Sequence, residues 1–152
     1  MAGLESGKFP SDTMLETKPC ITYGSQCFRE HNDLGFGLIG YEDALRVSSN
    51  TFFYQVGHGV GVDEIHEVSK KLGFTSLSGI EISEQENIGL VASSKWAKEG
   101  RGWGEAGRTP WVPEDIASMS IGQMVVQVTP IQIAKAYAAI ANGGYLVTPY
   151  SV

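Results

Sequence analysis

Ala44-Leu45-Arg46-Val47-Ser48-Ser49-Asn50-Thr51-Phe52-Phe53-Tyr54-Gln55-Val56 is the stretch on which the reading of this chain turns. Tyr41 to Val47 has helical composition with Glu42 and Asp43 in its first turn, where the helix dipole favours acids. Thr51 to Val56 begins a second, strongly apolar helix. Ser48-Ser49-Asn50 interrupts the two. These residue types hydrogen-bond the backbone locally and favour caps and turns over helix interiors. A polar triplet between two buried helical segments can present side chains at a cleft, or simply cap the helix that follows.

On either side the punctuation is plain. Met1 to Gly7 reads as the tail of a helix stopped by glycine. Residues 8 to 40 are turn-rich. Within them Tyr23-Gly24-Ser25 reads as a tight hairpin between Ile21-Thr22 and Gln26-Cys27-Phe28. Gly57 to Gly61 lacks the preceding strand of a dinucleotide motif and reads as a connecting loop. Asp63 to Leu72 is an amphipathic helix with Val62, Ile65, Val68 and Leu72 on one face and Gly73 as its stop. Residues 84 to 114 have little periodicity, and Trp96, Trp103 and Trp111 are expected either to anchor this segment to the body of the domain, the more common role, or to line a groove. The last helix has Thr129 at its N-cap, Pro130 at the first helical position and Gln132 where a capping box requires it. Ile131, Ala134, Tyr137, Ala138 and Ala141 lie on one side of it. Tyr145 to Thr148 reads as a strand.

Composition narrows the function classes. The chain has 152 residues, 42% apolar and 18% charged, with 19 glycines and a net charge of -6. That is one loop-rich globular unit. Its densest basic cluster, Lys95 to Arg108, is diluted by Glu99 and Glu105, so nucleic acid is not an expected partner. No apolar run reaches the roughly 20 residues needed to span a bilayer, and no signal peptide is visible.

Cys20 and Cys27 are the only cysteines. With Tyr23-Gly24 as the hairpin loop they sit opposite each other, within disulfide range. Two free thiols, a disulfide, or a zinc site completed by His31 and one of Glu16, Glu30 or Asp33 all remain open. His58 and His66 lack metal-binding spacing and read as surface or packing residues.

Three segments carry a resemblance: Ala44 to Val56; Lys71-Leu72-Gly73-Phe74 leading to Gly79-Ile80-Glu81-Ile82; and Ser120-Ile121-Gly122-Gln123 leading to Val128-Thr129-Pro130-Ile131-Gln132-Ile133-Ala134. In order and spacing they resemble class B penicillin-binding proteins of the elongation type. Ser-x-Asn alone would be weak, since 14 serines and four asparagines make about 0.4 such tripeptides expected by chance. Its neighbours give it weight.

The resemblance implies a D,D-transpeptidase that cross-links peptidoglycan by serine acyl transfer and binds penicillin. The fold expected is α/β, of the serine β-lactamase and penicillin-binding transpeptidase type, with a helical region packed on an antiparallel sheet. This chain would supply mostly the helical region. Such enzymes surround one cleft with Ser-x-x-Lys, Ser-x-Asn and Lys-Thr-Gly. Here no serine has a lysine three positions on, and none of the seven lysines precedes Thr-Gly. Residues 1–152 are therefore expected to lie between those two motifs and to be inactive alone.

By the same resemblance Ser48 relays a proton between the activating lysine and the leaving amine. Asn50 holds that lysine and the donor peptide, and Ser49 points away and shapes the turn. The resemblance implies no cofactor. It implies a stem peptide as substrate, β-lactams as inhibitors, a glycosyltransferase of the elongation machinery as partner, and a periplasmic domain on a protein anchored in the inner membrane. The alternatives are a non-catalytic peptidoglycan-binding paralogue and a small metalloprotein built on Cys20, Cys27 and His31. If the chain is such a piece, apolar faces of Thr51 to Val56 and of Ile131 to Ala141 are expected to be left uncovered.

Overall fold

The computed structural model describes residues 1–81, 86–99 and 113–150. Seven helices and six short strands follow in the order α1 (Ala2–Glu5), β1 (Met14–Thr17), β2 (Cys20–Tyr23), β3 (Gln26–Arg29), β4 (Gly37–Gly40), α2 (Tyr41–Arg46), α3 (Asn50–Val60), α4 (Val62–Lys71), β5 (Leu90–Val91), α5 (Ser94–Lys98), α6 (Pro113–Ser120), β6 (Val126–Gln127) and α7 (Pro130–Ala141) among the described residues. The strands form three antiparallel pairs, β1–β4, β2–β3 and β5–β6. The expected α/β class with a mainly helical segment is what forms.

Helix α3 is the axis of the structure. Phe52 is completely buried, and Tyr54, Val56 and Val60 are nearly so. Ile39, Ala44, Phe52, Val56 and Val60 make one core cluster, with Phe9, Leu15, Tyr41 and Ile65 packed around it. Tyr41 and Phe53 both meet Phe52 edge to face, at 5.1 and 5.3 Å between ring centroids. The expectation that the apolar face of Thr51 to Val56 would be uncovered is therefore corrected. The rest of this chain covers it, and burying a side chain such as Phe52 contributes about 3 kcal/mol.

The glycine-rich run after Val56 is also a correction. Gly57 to Val60 continue α3 instead of forming a loop, and the chain turns only at Gly61, φ 92°. Glycine is chosen there for close approach. A Cβ on Gly57 would collide with the Ser120 side chain on α6, and one on Gly59 with the ring of Phe9. What the helix loses in intrinsic propensity, about 1 kcal/mol per glycine, is offset by this packing.

A second cluster of Val62, Val91, Ala92, Met119 and Val125 joins α4, α6 and the β5–β6 pair. Trp96 packs against it, in the anchoring role expected of it; Trp103 and Trp111 lie outside the described residues. His66 is a packing residue whose Nδ1 lies 2.6 Å from Val91 O. His58 meets the ring of Tyr23 edge-on at 4.5 Å.

At α7 the capping box is present as expected: Thr129 Oγ1 accepts from Gln132 N, and Gln132 Oε1 accepts from Thr129 N at 2.9 Å. The buried face, however, is Gln132, Ala136 and Ala139, while Tyr137 and Ile140 point outward at 70% and 60% exposure. Residues 145–148 form no strand, because no described segment offers them a ladder. The exposed Tyr137, Ile140, Tyr145 and Tyr150 leave the uncovered apolar surface that was expected of this end.

Candidate active site

The β2–β3 hairpin turns at Gly24-Ser25, one residue later than expected, with Gly24 at φ 58°. A positive φ at the first loop position is what a II′-type turn asks of its glycine. The shifted register pairs Thr22 with Cys27 and Cys20 with Arg29. Cys20 and Cys27 are thus diagonal neighbours, with Cα atoms 5.8 Å apart, and they form a disulfide. That closes the choice left open by the sequence: neither thiol is free, and neither can serve as a thiolate ligand. His31 is used elsewhere, so the trio Cys20, Cys27 and His31 is not a metal site. No group of three His, Cys, Asp or Glu among the described residues could hold a metal ion.

Strand β3 delivers Glu30 and His31 to the break between α2 and α3. Helix α2 ends with Ser48 N–H on Leu45 O (3.3 Å) and Ser49 N–H on Ala44 O (2.9 Å). This is the Schellman arrangement, which requires one residue in the left-handed region. Helices α4, α6 and α7 end with the same six-to-one hydrogen bond and place Gly73, Gly122 and Gly143 at that position, φ 85°, 75° and 85°. Helix α2 places Ser48 there, at φ 54°. A non-glycine residue in this region costs about 1–2 kcal/mol, so the position keeps a side chain where the fold alone would take glycine.

Ser49, completely buried, serves two helices at once. It closes α2 with its N–H and caps α3 with its hydroxyl, which accepts from Phe52 N at 3.2 Å. Its own proton goes to Glu30 Oε2 at 2.7 Å. Ser48 is exposed and Asn50 half-buried at the first turn of α3. The Asn50 amide nitrogen lies 3.4 Å from Arg29 O. Ser49 therefore points inward, while the two residues assigned chemistry stay at the surface. Capping, the plainer reading of the triplet, is also realised, and it falls on Ser49.

Glu30 is the residue that the sequence undervalued. Only 1% exposed, its carboxylate accepts from Asn50 N (Oε1, 2.8 Å), His31 N (Oε1, 3.0 Å), Thr51 Oγ1 (Oε2, 2.8 Å) and Thr51 N (Oε2, 3.1 Å), besides Ser49. Burial alone would push its pKa up. The hydrogen bonds from Ser49, Asn50 and Thr51 together outweigh that and hold it below the ordinary carboxylate range. A carboxylate at a helix N-terminus also meets the positive end of the dipole. In the sequence Glu30 stands out only as one of several candidate metal ligands. A cap supplied from 20 residues away leaves no local signal.

On the other side His31 Nε2 lies 2.8 Å from Val47 O, a carbonyl at the end of α2. Two neighbouring side chains thus meet the two helix ends that flank Ser48. Thr17 steadies their loop, donating to Gly37 O and accepting from Phe36 N. A strained, exposed serine beside an amide, fixed on a rigid helix junction, suits proton relay and hydrogen-bonded substrate positioning.

The family profile for the penicillin binding protein transpeptidase domain matches residues 1–152. The chain belongs to this family. Among curated relatives, it is 34% identical over 123 residues to the peptidoglycan D,D-transpeptidase MrdA of Haemophilus influenzae, covering 81% of this chain but 18% of that protein. Among solved structures, it superposes on the penicillin-binding protein PBP2 of Helicobacter pylori in complex with MreC with a TM-score of 0.87 at 26% identity, over 98% of this chain and 26% of that one. It also matches a chain of a peptidoglycan synthase complex, solved to show the coordination of polymerization and crosslinking, with a TM-score of 0.84 at 30% identity, over 98% and 24% of the two chains. The fold of this penicillin-binding family segment is thus the transpeptidase fold. The chain spans about a fifth of the length of the MrdA relative.

Proposed function

We propose that this chain is the part of a peptidoglycan D,D-transpeptidase that lies between Ser-x-x-Lys and Lys-Thr-Gly, with Ser48 and Asn50 forming one wall of its cleft. The observation that carries the reading is the exception at the end of α2: a side chain is kept at a left-handed position that three other helices give to glycine. In this reading Ser48 passes a proton between the activating lysine and the departing amine of the donor stem peptide. Asn50 holds the donor by its amide, and its Nδ2 has only the 3.4 Å contact with Arg29 O to give up.

The family membership supports a penicillin-reactive parent protein. The kinship with PBP2 bound to MreC and with a synthase complex supports partners in the elongation machinery, including a glycosyltransferase. The site would then face the periplasm, on a protein anchored elsewhere in its sequence. No helix among the described residues is long and apolar enough to cross a membrane.

The test is covalent labelling by a fluorescent penicillin. The full-length protein should give a band that survives denaturation, and Ser48→Ala should slow its formation by about 10²- to 10⁴-fold. The isolated 152-residue chain, which contains no Ser-x-x-Lys, should not label. An unlabelled full-length protein would point instead to a non-catalytic peptidoglycan-binding paralogue.

A further inference from the structure

Resting on that reading, we infer that Glu30 and His31 are positioning residues for the Ser-x-Asn wall, fixing Ser48 by holding the helix end on each side of it. The chemistry of the pair fits the two ends. The α3 N-terminus offers unpaired N–H donors and needs an acceptor; the α2 C-terminus offers carbonyls and needs a donor. Glu30 is the acceptor, taking the N–H groups of Asn50 and Thr51 and the hydroxyls of Ser49 and Thr51. His31, with its proton on Nε2, is the donor to Val47 O. Because the two are adjacent in sequence, and Glu30 Oε1 also accepts the His31 N–H at 3.0 Å, neither helix end can shift without disturbing the other contact. Ser48 lies on the short span between Val47 and Asn50, in a backbone conformation it would leave if either end were released.

Glu30 is buried and the His31 ring is committed to Val47 O, so in this proposal each acts through Ser48 and Asn50. The two differ in burial, which makes the inference separable from a plain stability effect. Glu30 is sealed in, and its loss would loosen the fold as well as the site. His31 is exposed, and a single exposed hydrogen bond contributes little to stability.

The experiment is a double-mutant cycle in the full-length protein, reading the acylation rate constant at saturating penicillin together with the melting temperature. Glu30→Gln should lower the acylation rate by about 10- to 100-fold, the scale of a misplaced catalytic group. His31→Ala should lower it by about 3- to 10-fold with no more than a slight shift in melting temperature. In a Ser48→Ala background both substitutions should lose most of this effect, because the group they position is gone. Wild-type acylation rates in folded Glu30→Gln and His31→Ala would overturn the inference, as would the same fold-losses with and without Ser48. If Glu30→Gln does not fold, His31→Ala carries the same cycle alone. Should Ser48→Ala itself acylate like wild type, the reading of the wall fails and this inference with it. A slow Ser48→Ala beside an unaffected Glu30→Gln and His31→Ala sinks the inference only.

Discussion

Gln132 Nε2 donates to Ser76 O at 2.8 Å and to Ile88 O at 2.9 Å, from a side chain with no exposed surface. With Gln132 Oε1 engaged by Thr129 N, one amide joins α7 to the segment after α4 and to the approach to β5. Gln132→Leu would strand two carbonyls and a cap N–H. The expected loss is about 2–4 kcal/mol, read as a lowered denaturation midpoint. Thr129→Ala, which removes only the cap hydroxyl, should cost about 1 kcal/mol.

Ser48→Gly separates stability from function. Glycine relieves the left-handed strain, so the variant should be as stable as wild type or up to about 1 kcal/mol more stable by thermal melting. It also removes the hydroxyl to which the proposed function gives the proton relay, so on that proposal penicillin acylation of the full-length protein should fall as in Ser48→Ala. A destabilised Ser48→Gly would show that the hydroxyl has a structural role.

The Cys20–Cys27 bridge closes a short loop, with a sequence separation of 7. Loop-closure entropy then gives about 2 kcal/mol of stabilisation. The native 152-residue chain should take up no iodoacetamide without reductant and two equivalents with it. Reduction should lower the melting temperature, and Cys20→Ser/Cys27→Ser should reproduce the reduced value.

Acid sensitivity should centre on Glu30. Its folded-state pKa lies below the ordinary carboxylate range, with the hydrogen bonds outweighing burial. The stabilisation it provides is therefore complete above the unfolded-state value and is lost as pH falls through the lower folded one. Urea midpoints taken between about pH 6 and pH 3 should decline in wild type. The decline should be shallower in Glu30→Gln, which has no charge to lose there. Asp63, held low by Ser94 Oγ and N at 2.7 and 2.8 Å, titrates in the same direction and remains in both proteins.

The exposed apolar side chains of the α7 region should make the isolated chain self-associate. Tyr137→Ser/Ile140→Ser, at positions 70% and 60% exposed, should shift light-scattering mass toward monomer without lowering the melting temperature.

Where a structural choice is made by near neighbours in sequence, it could be read. The α7 capping box needs only Thr129 to Gln132, and the stop of α4 needs only Gly73, so both were legible. The triplet at 48–50 was legible as a break, but its stop signal was disguised because the Schellman position holds serine. Choices made by distant partners were hidden. Gly57 and Gly59 look like loop residues until Ser120 and Phe9 are seen against them. Gln132 belongs on a polar face until the carbonyls of Ser76 and Ile88 surround it. The hairpin slipped by one residue because Tyr23-Gly24 and Gly24-Ser25 are both acceptable loops. Only the pairing of Tyr23 with Gln26 decides between them.

The contact between Glu30 and the start of α3 also bears on transplanting the Ser48-Ser49-Asn50 junction into another scaffold. The carboxylate meets groups 19 to 21 residues further along, so the shape of Ser48-Ser49-Asn50 belongs to a closed arc and not to the tripeptide. Grafting α2, the triplet and α3 without residues 30–40 would carry the letters and lose the conformation. Within the arc, by contrast, substitutions at exposed positions such as Leu34 and Leu38 leave the closing contacts untouched. The exposed side chains of the arc could therefore be varied while the junction at residues 48–50 keeps its form.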